Sequence, residues 1–285
     1  MWCFTRLFFL LITLELGACT GLLFFPQHEL VLTPDRLGLA YRDIWFEAAD
    51  GTRLHGWFLP ADLKAVGGVA CTVLFLHGNA ENISTHIASV RWLPERGYNV
   101  FLFDYRGYGR SAGEPSLLGL HLDTEAALAT VFTMAEVDPD RIVIFGQSLG
   151  GTIAITALAQ SAYRHRIRAL VTEGAFSSYR EIAREKLAAF WLTWPLQWPL
   201  SLTIDNQYKP REVIGLISPV PVLIIHGLAD RVVSPHHAEA LYAATDEPKE
   251  LWLVPGADHI QAVRQPATQQ RLLGYLAAHC GDNGW

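Results

Sequence analysis

The chain has 285 residues, 51% of them apolar and 18% charged, with a formal net charge of −6. This composition excludes a disordered chain. The acidic balance excludes a nucleic-acid binder, which needs a basic face for phosphate contacts. The length suits one large domain with a full core.

The first nineteen residues read MWCFTRLFFLLITLELGAC. Arg6 supplies a positive start, residues 7–14 a short apolar stretch, and Gly17 and Ala18 a small-residue exit. This is the layout of a secretory signal, too short to span a bilayer comfortably. Leu16-Gly17-Ala18-Cys19 resembles a bacterial lipobox. The resemblance implies a signal peptide over residues 1–18, with Cys19 as the lipidated first mature residue that anchors the protein to the membrane of the cell envelope. Thr20 stands where Asp would imply inner-membrane retention, so the outer membrane is the expected address. An uncleaved anchor is one alternative, because apolar character resumes at residues 22–25, and a soluble intracellular protein is the other. Glu15 counts against both membrane readings.

A Pro-punctuated connector follows over residues 26–34. Residues 41–48 and 54–59 read as strands joined by an Asp50-Gly51 turn. Residues 69–76 form a short apolar run rich in β-formers and read as a buried strand. Residues 82–96 read as a helix, with Ser84 as N-cap and Gly97 as stop. Strands are expected at 99–103, 141–145, 167–171, 221–225 and 250–254. Helices are expected at 117–135, 152–160, 236–244 and from about 266 to 279. Alternating strands and helices specify an α/β fold with a mostly parallel sheet covered on both faces. In such sheets ligands sit beyond the carboxyl ends of the strands. The four cysteines Cys3, Cys19, Cys71 and Cys280 are widely spaced and give neither a zinc pair nor a disulfide framework. Cys71 is expected as a small core residue and Cys280 as incidental; a bridge between them is the minor alternative, open only in an oxidising compartment.

The residues that carry chemistry begin with Gly146-Gln147-Ser148-Leu149-Gly150. A strand, then Gly-x-Ser-x-Gly, then a helix is the nucleophile elbow, in which small flanking residues allow the turn to lift the serine out of the sheet. A serine hydroxyl needs a base to take its proton, and the base needs an acid to orient it. In this arrangement the order is Ser, acid, His. Asp230 lies just past the strand at 221–225 and His259 just past the strand at 250–254, so Ser148, Asp230 and His259 are the candidate triad. Among the rival groups, His236 and His237 are expected to be solvated or capping, and His226 structural. Asp258 adjoins His259 too closely in sequence to orient it. Backbone N–H donors for an oxyanion are expected from Leu149 and from Asn79, with Ala80 next, in the loop after residues 69–76.

Residues 103–111, FDYRGYGRS, followed by Gly113-Glu114-Pro115-Ser116, resemble the α/β-hydrolases related to yeast Bem46 and animal ABHD13 and ABHD17. His77-Gly78-Asn79, the Ser148 elbow, Glu173, His226-Gly227-x-x-Asp230 and Asp258-His259 match the same group. The resemblance runs from about residue 38 to 276, within a domain placed at 38–280. It implies an α/β-hydrolase fold and cleavage of ester-type bonds, and some relatives remove palmitoyl groups from protein cysteines. A serine aminopeptidase-like domain label also attaches to such chains. Asp104 and Arg106 are expected to organise a loop near the oxyanion side, and Glu173 to support the site without reacting.

Between about residues 176 and 217 the sheet pattern breaks. Residues 188–202, AAFWLTWPLQWPLSL, carry Trp191, Trp194 and Trp198 among prolines and are too short for a membrane span. They are expected to form a small cap. Its tryptophans would line an acyl site, touch a membrane interface, or simply pack the cap onto the core. The expected activity is hydrolysis of small-molecule carboxylic esters or thioesters through an acyl-enzyme on Ser148. The alternatives are a peptidase of the same fold and a binding protein with a relic triad. No metal or nucleotide motif is present, and the triad needs no cofactor.

Overall fold

The computed structural model describes residues 24–62, 70–189 and 191–280. The expected signal peptide and Cys19 lie outside them, as does Val69 at the start of one expected strand. Among the described residues no helix is long and apolar enough to cross a membrane.

Eight strands build one sheet: β1 (Arg42–Glu47), β2 (Arg53–Leu59), β3 (Cys71–Leu76), β4 (Tyr98–Asp104), β5 (Ile142–Gln147), β6 (Ile167–Glu173), β7 (Val222–Gly227) and β8 (Lys249–Val254). Their spatial order is β1-β2-β4-β3-β5-β6-β7-β8, and only β2 runs against its neighbours. Every residue of β3, β4, β5 and β7 is buried, which explains their continuous apolar runs: helices cover both faces. Alternate side chains serve two cores. Leu74, Leu76 and Ile144 pack with Leu120 and Ile153 on one side. Val73, Phe75 and Phe145 pack with Leu272 and Tyr275 on the other. The β1–β2 turn is closed by Gly51 N–H donating to Ala48 O at 2.8 Å, with Gly51 at φ +80°.

The helices are α1 (Ile83–His86), α2 (Leu117–Val131), α3 (Leu149–Gln160), α4 (Tyr179–Ala189), α5 (Gln197–Leu202), α6 (Pro210–Val213), α7 (His236–Ala244) and α8 (Pro266–Cys280). The expected helix at 82–96 is instead α1 followed by two 3₁₀ turns, Ile87–Ser89 and Pro94–Arg96. Pro94 has no N–H to continue a helix. Asn82, not Ser84, caps α1: its side chain accepts Ser84 N–H at 2.9 Å and donates to Gln27 O and Glu29 O. Gly97 does end this stretch, at φ +86°. α2 stops before residue 135, where Thr133 Oγ1 bonds Thr130 O at 2.8 Å and tightens the last turn.

Two further differences bear on function. Strands β5, β6 and β7 each run two residues past their expected ends, carrying the polar residues Gln147, Glu173 and His226 into the buried ladder. Cys71 and Cys280 are not free thiols. They form a disulfide with Cα atoms 5.8 Å apart, joining the start of β3 to the end of α8.

Residues 176–217 hold α4, the 3₁₀ turn Trp194–Leu196, α5, α6 and the 3₁₀ turn Ile214–Ile217. α5 packs on α4, and α6 packs on α3. The cap tryptophans are not core residues: Trp191, Trp194 and Trp198 are 78%, 60% and 62% exposed. Arg184 of α4 lies over the Trp198 ring at 4.5 Å.

Candidate active site

Strand order determines what meets at the carboxyl edge of the sheet. β4 and β5 flank β3 on opposite sides, so the chain changes direction there and leaves a crevice between the loops that follow β3 and β5. Leu76 of β3 is register partner to Gly146 of β5. The His77-Gly78-Asn79 loop therefore lies beside the elbow, and a methyl group on Gly78 would sit 3.6 Å from Ser148 Cβ.

The elbow is tight. Ser148 has φ +53°, a conformation that costs a non-glycine residue about 1–3 kcal/mol. Its N–H donates to Glu173 O at 2.8 Å, fastening the turn to β6. A Cβ on Gly150 would overlap the carbonyls of Leu76 and His77, and one on Gly146 would press into Gly150 and Gly151. Among the described residues the other positive-φ non-glycines are Glu81 and Ile260. All three lie in the segments that follow β3, β5 and β8, the edge where the candidate residues gather.

Ser148, His259 and Asp230 meet in one hydrogen-bonded chain. His259 Nε2 lies 3.0 Å from Ser148 Oγ, and His259 Nδ1 lies 2.8 Å from Asp230 Oδ2. The acid and histidine loops are stitched together by Leu228 N–H to Val254 O and Ala229 N–H to Ala257 O, each 2.9 Å. Asp230 Oδ1 accepts the N–H groups of Val232 and Val233, both at 2.8 Å. Burial pushes the Asp230 carboxyl up, but hydrogen bonds from His226, His259 and Val233 outweigh it and hold the group well below the usual carboxylate range. The aspartate is thus an anion that fixes His259 with Nε2 facing the serine. Such a chain can move a proton from Oγ to Nε2. Ser148 is 8% exposed, within reach of the surface.

His226 does more than end a strand. Its Nε2 lies 2.8 Å from Val233 O and 3.3 Å from Asp230 Oδ2, so it braces the acid loop from within. Asp258 does not face the His259 ring. It accepts His259 N–H at 2.8 Å and pairs with Arg231.

Leu149 is the first residue of α3, where backbone N–H groups have no partner within the helix and point outward at the positive end of its dipole. Next to the Asn79 N–H, the Asn79–Ala80 peptide is held by its carbonyl, which accepts Tyr108 O–H at 2.7 Å and Phe25 N–H at 3.3 Å. The 103–111 run organises this loop. Asp104 is fully buried and accepts Ile83 N–H at 2.8 Å. Arg106 pairs with Asp123 at 2.8 Å and with Asp50 at 2.7 Å. Gly109, at φ +50°, has to be glycine because a Cβ would overlap the Asp104 carboxylate.

Sequence reasoning gave Glu173 a supporting place but not its contacts. It is 1% exposed, accepts Gln147 Nε2–H through one oxygen, and accepts Val263 N–H at 2.9 Å through the other. Burial pushes its carboxyl up. The Gln147–Glu173 pairing is a lateral match across β5 and β6, which neither strand alone reveals. His237 is a correction. It is not solvated but completely buried, with Nδ1 2.8 Å from Ser177 Oγ, while His236 is half-exposed.

A family model described as the alpha/beta hydrolase fold matches residues 72–195. YfhR of Escherichia coli O157:H7, an uncharacterised protein, is 42% identical over 217 residues, covering 76% of this chain and 72% of its own. The Arabidopsis thaliana alpha/beta hydrolase domain-containing protein WAV2 is 36% identical over 220 residues, covering 74% and 69%. Schizosaccharomyces pombe Bem46 is 28% identical over 234 residues, covering 79% and 73%. Among solved structures, the Pyrococcus furiosus esterase Pf2001 superposes with a TM-score of 0.71 at 23% identity, covering 91% of this chain and 99% of that one. Sheet order, elbow and relatives agree: the chain belongs to the α/β-hydrolase family.

Proposed function

We propose that this protein is a serine hydrolase that cleaves carboxylic esters or thioesters through an acyl-enzyme on Ser148. The observation that carries this reading is the continuous Ser148–His259–Asp230 hydrogen-bond chain at a strained elbow. His259 Nε2 takes the Oγ proton as Oγ attacks the acyl carbon. Asp230 stabilises the imidazolium. The N–H groups of Leu149 and Asn79 receive the oxyanion, and His259 returns the proton to the leaving group before activating water for deacylation. The exposed tryptophans of the cap favour an acyl or lipid-like substrate over a polar one. A fluorophosphonate probe is expected to label the wild type and not Ser148→Ala. Absence of labelling in the folded wild type would overturn the reading. A panel of p-nitrophenyl acyl esters against aminoacyl anilides separates ester cleavage from peptidase activity.

The protein acts, in the same proposal, in the bacterial cell envelope, tethered through lipid on Cys19. The Cys71–Cys280 bridge supports export, since such bonds persist in oxidising compartments. A Cys19→Ala variant is expected to lose incorporation of a fatty-acid label and leave the membrane fraction. Retention of label would sink the tether.

A further inference from the structure

The cap carries an apolar surface that the triad chemistry does not account for. Among the described residues fourteen large apolar side chains are exposed, and seven of them fall between Trp191 and Leu202. They are clustered, not scattered, and a cluster of this kind marks a surface that meets another apolar phase. No charged residue stands between Lys186 and Asp205. The stretch forms only the 3₁₀ turn Trp194–Leu196 and α5, too short to cross a bilayer. Tryptophan favours the headgroup layer of a membrane, where its apolar ring and its N–H are both accommodated.

The patch has a cationic border. Arg184 of α4 lies over the Trp198 ring at 4.5 Å. Arg180, one turn earlier, donates to Ile204 O at 3.1 Å and to Leu202 O at 3.3 Å. The acidic residues of the same helix turn to another neighbour: Glu181 and Glu185 lie 3.7 and 3.2 Å from His236 Nε2. Guanidinium groups beside an uncharged apolar face fit a layer of anionic lipid headgroups.

The N-terminal segment leaves the domain at the edge where the cap begins. Phe25 and Pro26 pair in parallel with Ala80 and Glu81, in the loop after β3. Gln27 N–H donates to Glu81 O at 3.0 Å, and Gly109 N–H to Gln27 O at 2.8 Å. Phe24 is buried in the cluster that holds Tyr105 and Tyr108 from the oxyanion side and Phe176 and Tyr179 from the base of the cap. The segment is therefore fastened to the carboxyl edge of the sheet, from which the cap also departs, after β6. Cys19 stands five residues before Phe24, a reach of at most about 18 Å. A lipid on Cys19 would hold this edge close to the bilayer, with the exposed Phe25 near the point of exit.

We propose that residues 191–202 of the cap dock into the headgroup layer of a phospholipid membrane, and that the carboxyl edge of the sheet, with Ser148, faces the bilayer. The orientation rests on the lipid tether proposed above; the docking of the cap has its own readout.

The test uses protein expressed from the full chain, purified from membranes and reconstituted with vesicles of phosphatidylethanolamine and phosphatidylglycerol. Mass spectrometry reports the lipid on Cys19. Quenching of tryptophan emission by brominated phosphatidylcholine in the vesicles reports the cap. The Trp191→Ser/Trp194→Ser/Trp198→Ser variant replaces exposed side chains only, and an unchanged thermal midpoint checks its fold. The wild type is expected to show emission that is shifted to the blue and quenched by the brominated lipid, and the variant to lose most of that quenching. Absence of quenching in the wild type, or equal quenching in the variant, would overturn the docking whether or not the lipid is found. A concentration-dependent dimer in place of quenching would overturn it too, by assigning the patch to a second copy. Absence of the lipid with quenching intact would overturn the tether and leave the docking standing.

Discussion

Glu173 accepts the main-chain N–H of Val263 at 2.9 Å, so a carboxylate at the end of β6 holds the segment that follows His259. Its other oxygen takes the amide of Gln147, the residue before Ser148. One buried side chain thus links the serine turn to the histidine loop. Removing it by Glu173→Ala is expected to lower kcat on an ester by on the order of 100-fold, the scale of an ångström-sized misplacement. Glu173→Gln is expected to retain most activity, because its amide oxygen still accepts Val263 N–H and Gln147 can rotate to offer its oxygen. Steady-state kinetics on both variants check this; equal losses in the two would rule out positioning by hydrogen bonds.

Tyr108 makes the corresponding link on the oxyanion side. Its hydroxyl donates to Asn79 O at 2.7 Å, holding the Asn79–Ala80 peptide, and lies 3.2 Å from Asn79 Oδ1, so it fixes the loop around the Asn79 N–H. Tyr108→Phe keeps the buried ring and deletes the donor. The expected outcome is a fall in kcat of about 10-fold with KM little changed, since an oxyanion contact forms in the transition state. A change confined to KM would argue that the loop binds ground-state substrate instead.

The meeting of Ser148, Asp230 and His259 was readable from sequence because each follows the carboxyl end of an apolar strand, the edge where such folds bind ligands. Gly146, Gly150 and Gly151 marked the turn for a steric reason that the coordinates make explicit. The contacts beneath the site were not readable. Gln147 and Glu173 look like strand terminators because they are polar, yet each satisfies the other inside the ladder, so the strands continue. Residues 82–96 read as one helix, but α1 ends at His86 and gives way to 3₁₀ turns, the second opening on Pro94, which has no N–H to continue a helix. The burial of His237 depends on α4 folding over it, a contact between segments about fifty residues apart.

Acid sensitivity follows from His121. Its ring is buried, stacked on Tyr208 at 3.6 Å, with Nε2 2.6 Å from Thr156 Oγ1. Burial pushes its imidazole down to about 4. The unfolded chain takes up this proton below about pH 6.5, whereas the folded chain resists until about pH 4, so stability rises with pH across that window. On acidification the contribution is lost between those values and amounts to about 3 kcal/mol when complete. Urea midpoints measured from neutral pH downward should fall through this window, and His121→Gln should flatten the slope. An unchanged slope in the variant would assign the effect to other histidines.

The disulfide gives a prediction of a different kind. Cys71 and Cys280 are 209 residues apart in sequence. Closing a loop of that length removes unfolded-state entropy worth about 5 kcal/mol on the chain-entropy model. Cys71→Ser/Cys280→Ser is therefore expected to melt well below the wild type. Alkylation of the denatured, unreduced protein should leave both residues unmodified, and modification of either would show that the bond is absent.

The bridge has one more consequence. Ser148, Asp230 and His259 all fall between the two cysteines, so the hydrogen-bonded chain they form belongs to a single closed covalent ring. The exposed cap stretch around Trp191–Trp198 is the natural place for a protease to cut, and it lies on the same ring. One cut there would open the ring into a linear strip without freeing any piece of it. The cut molecule would keep Ser148 joined to Asp230 and His259 until a reductant reached Cys71 and Cys280.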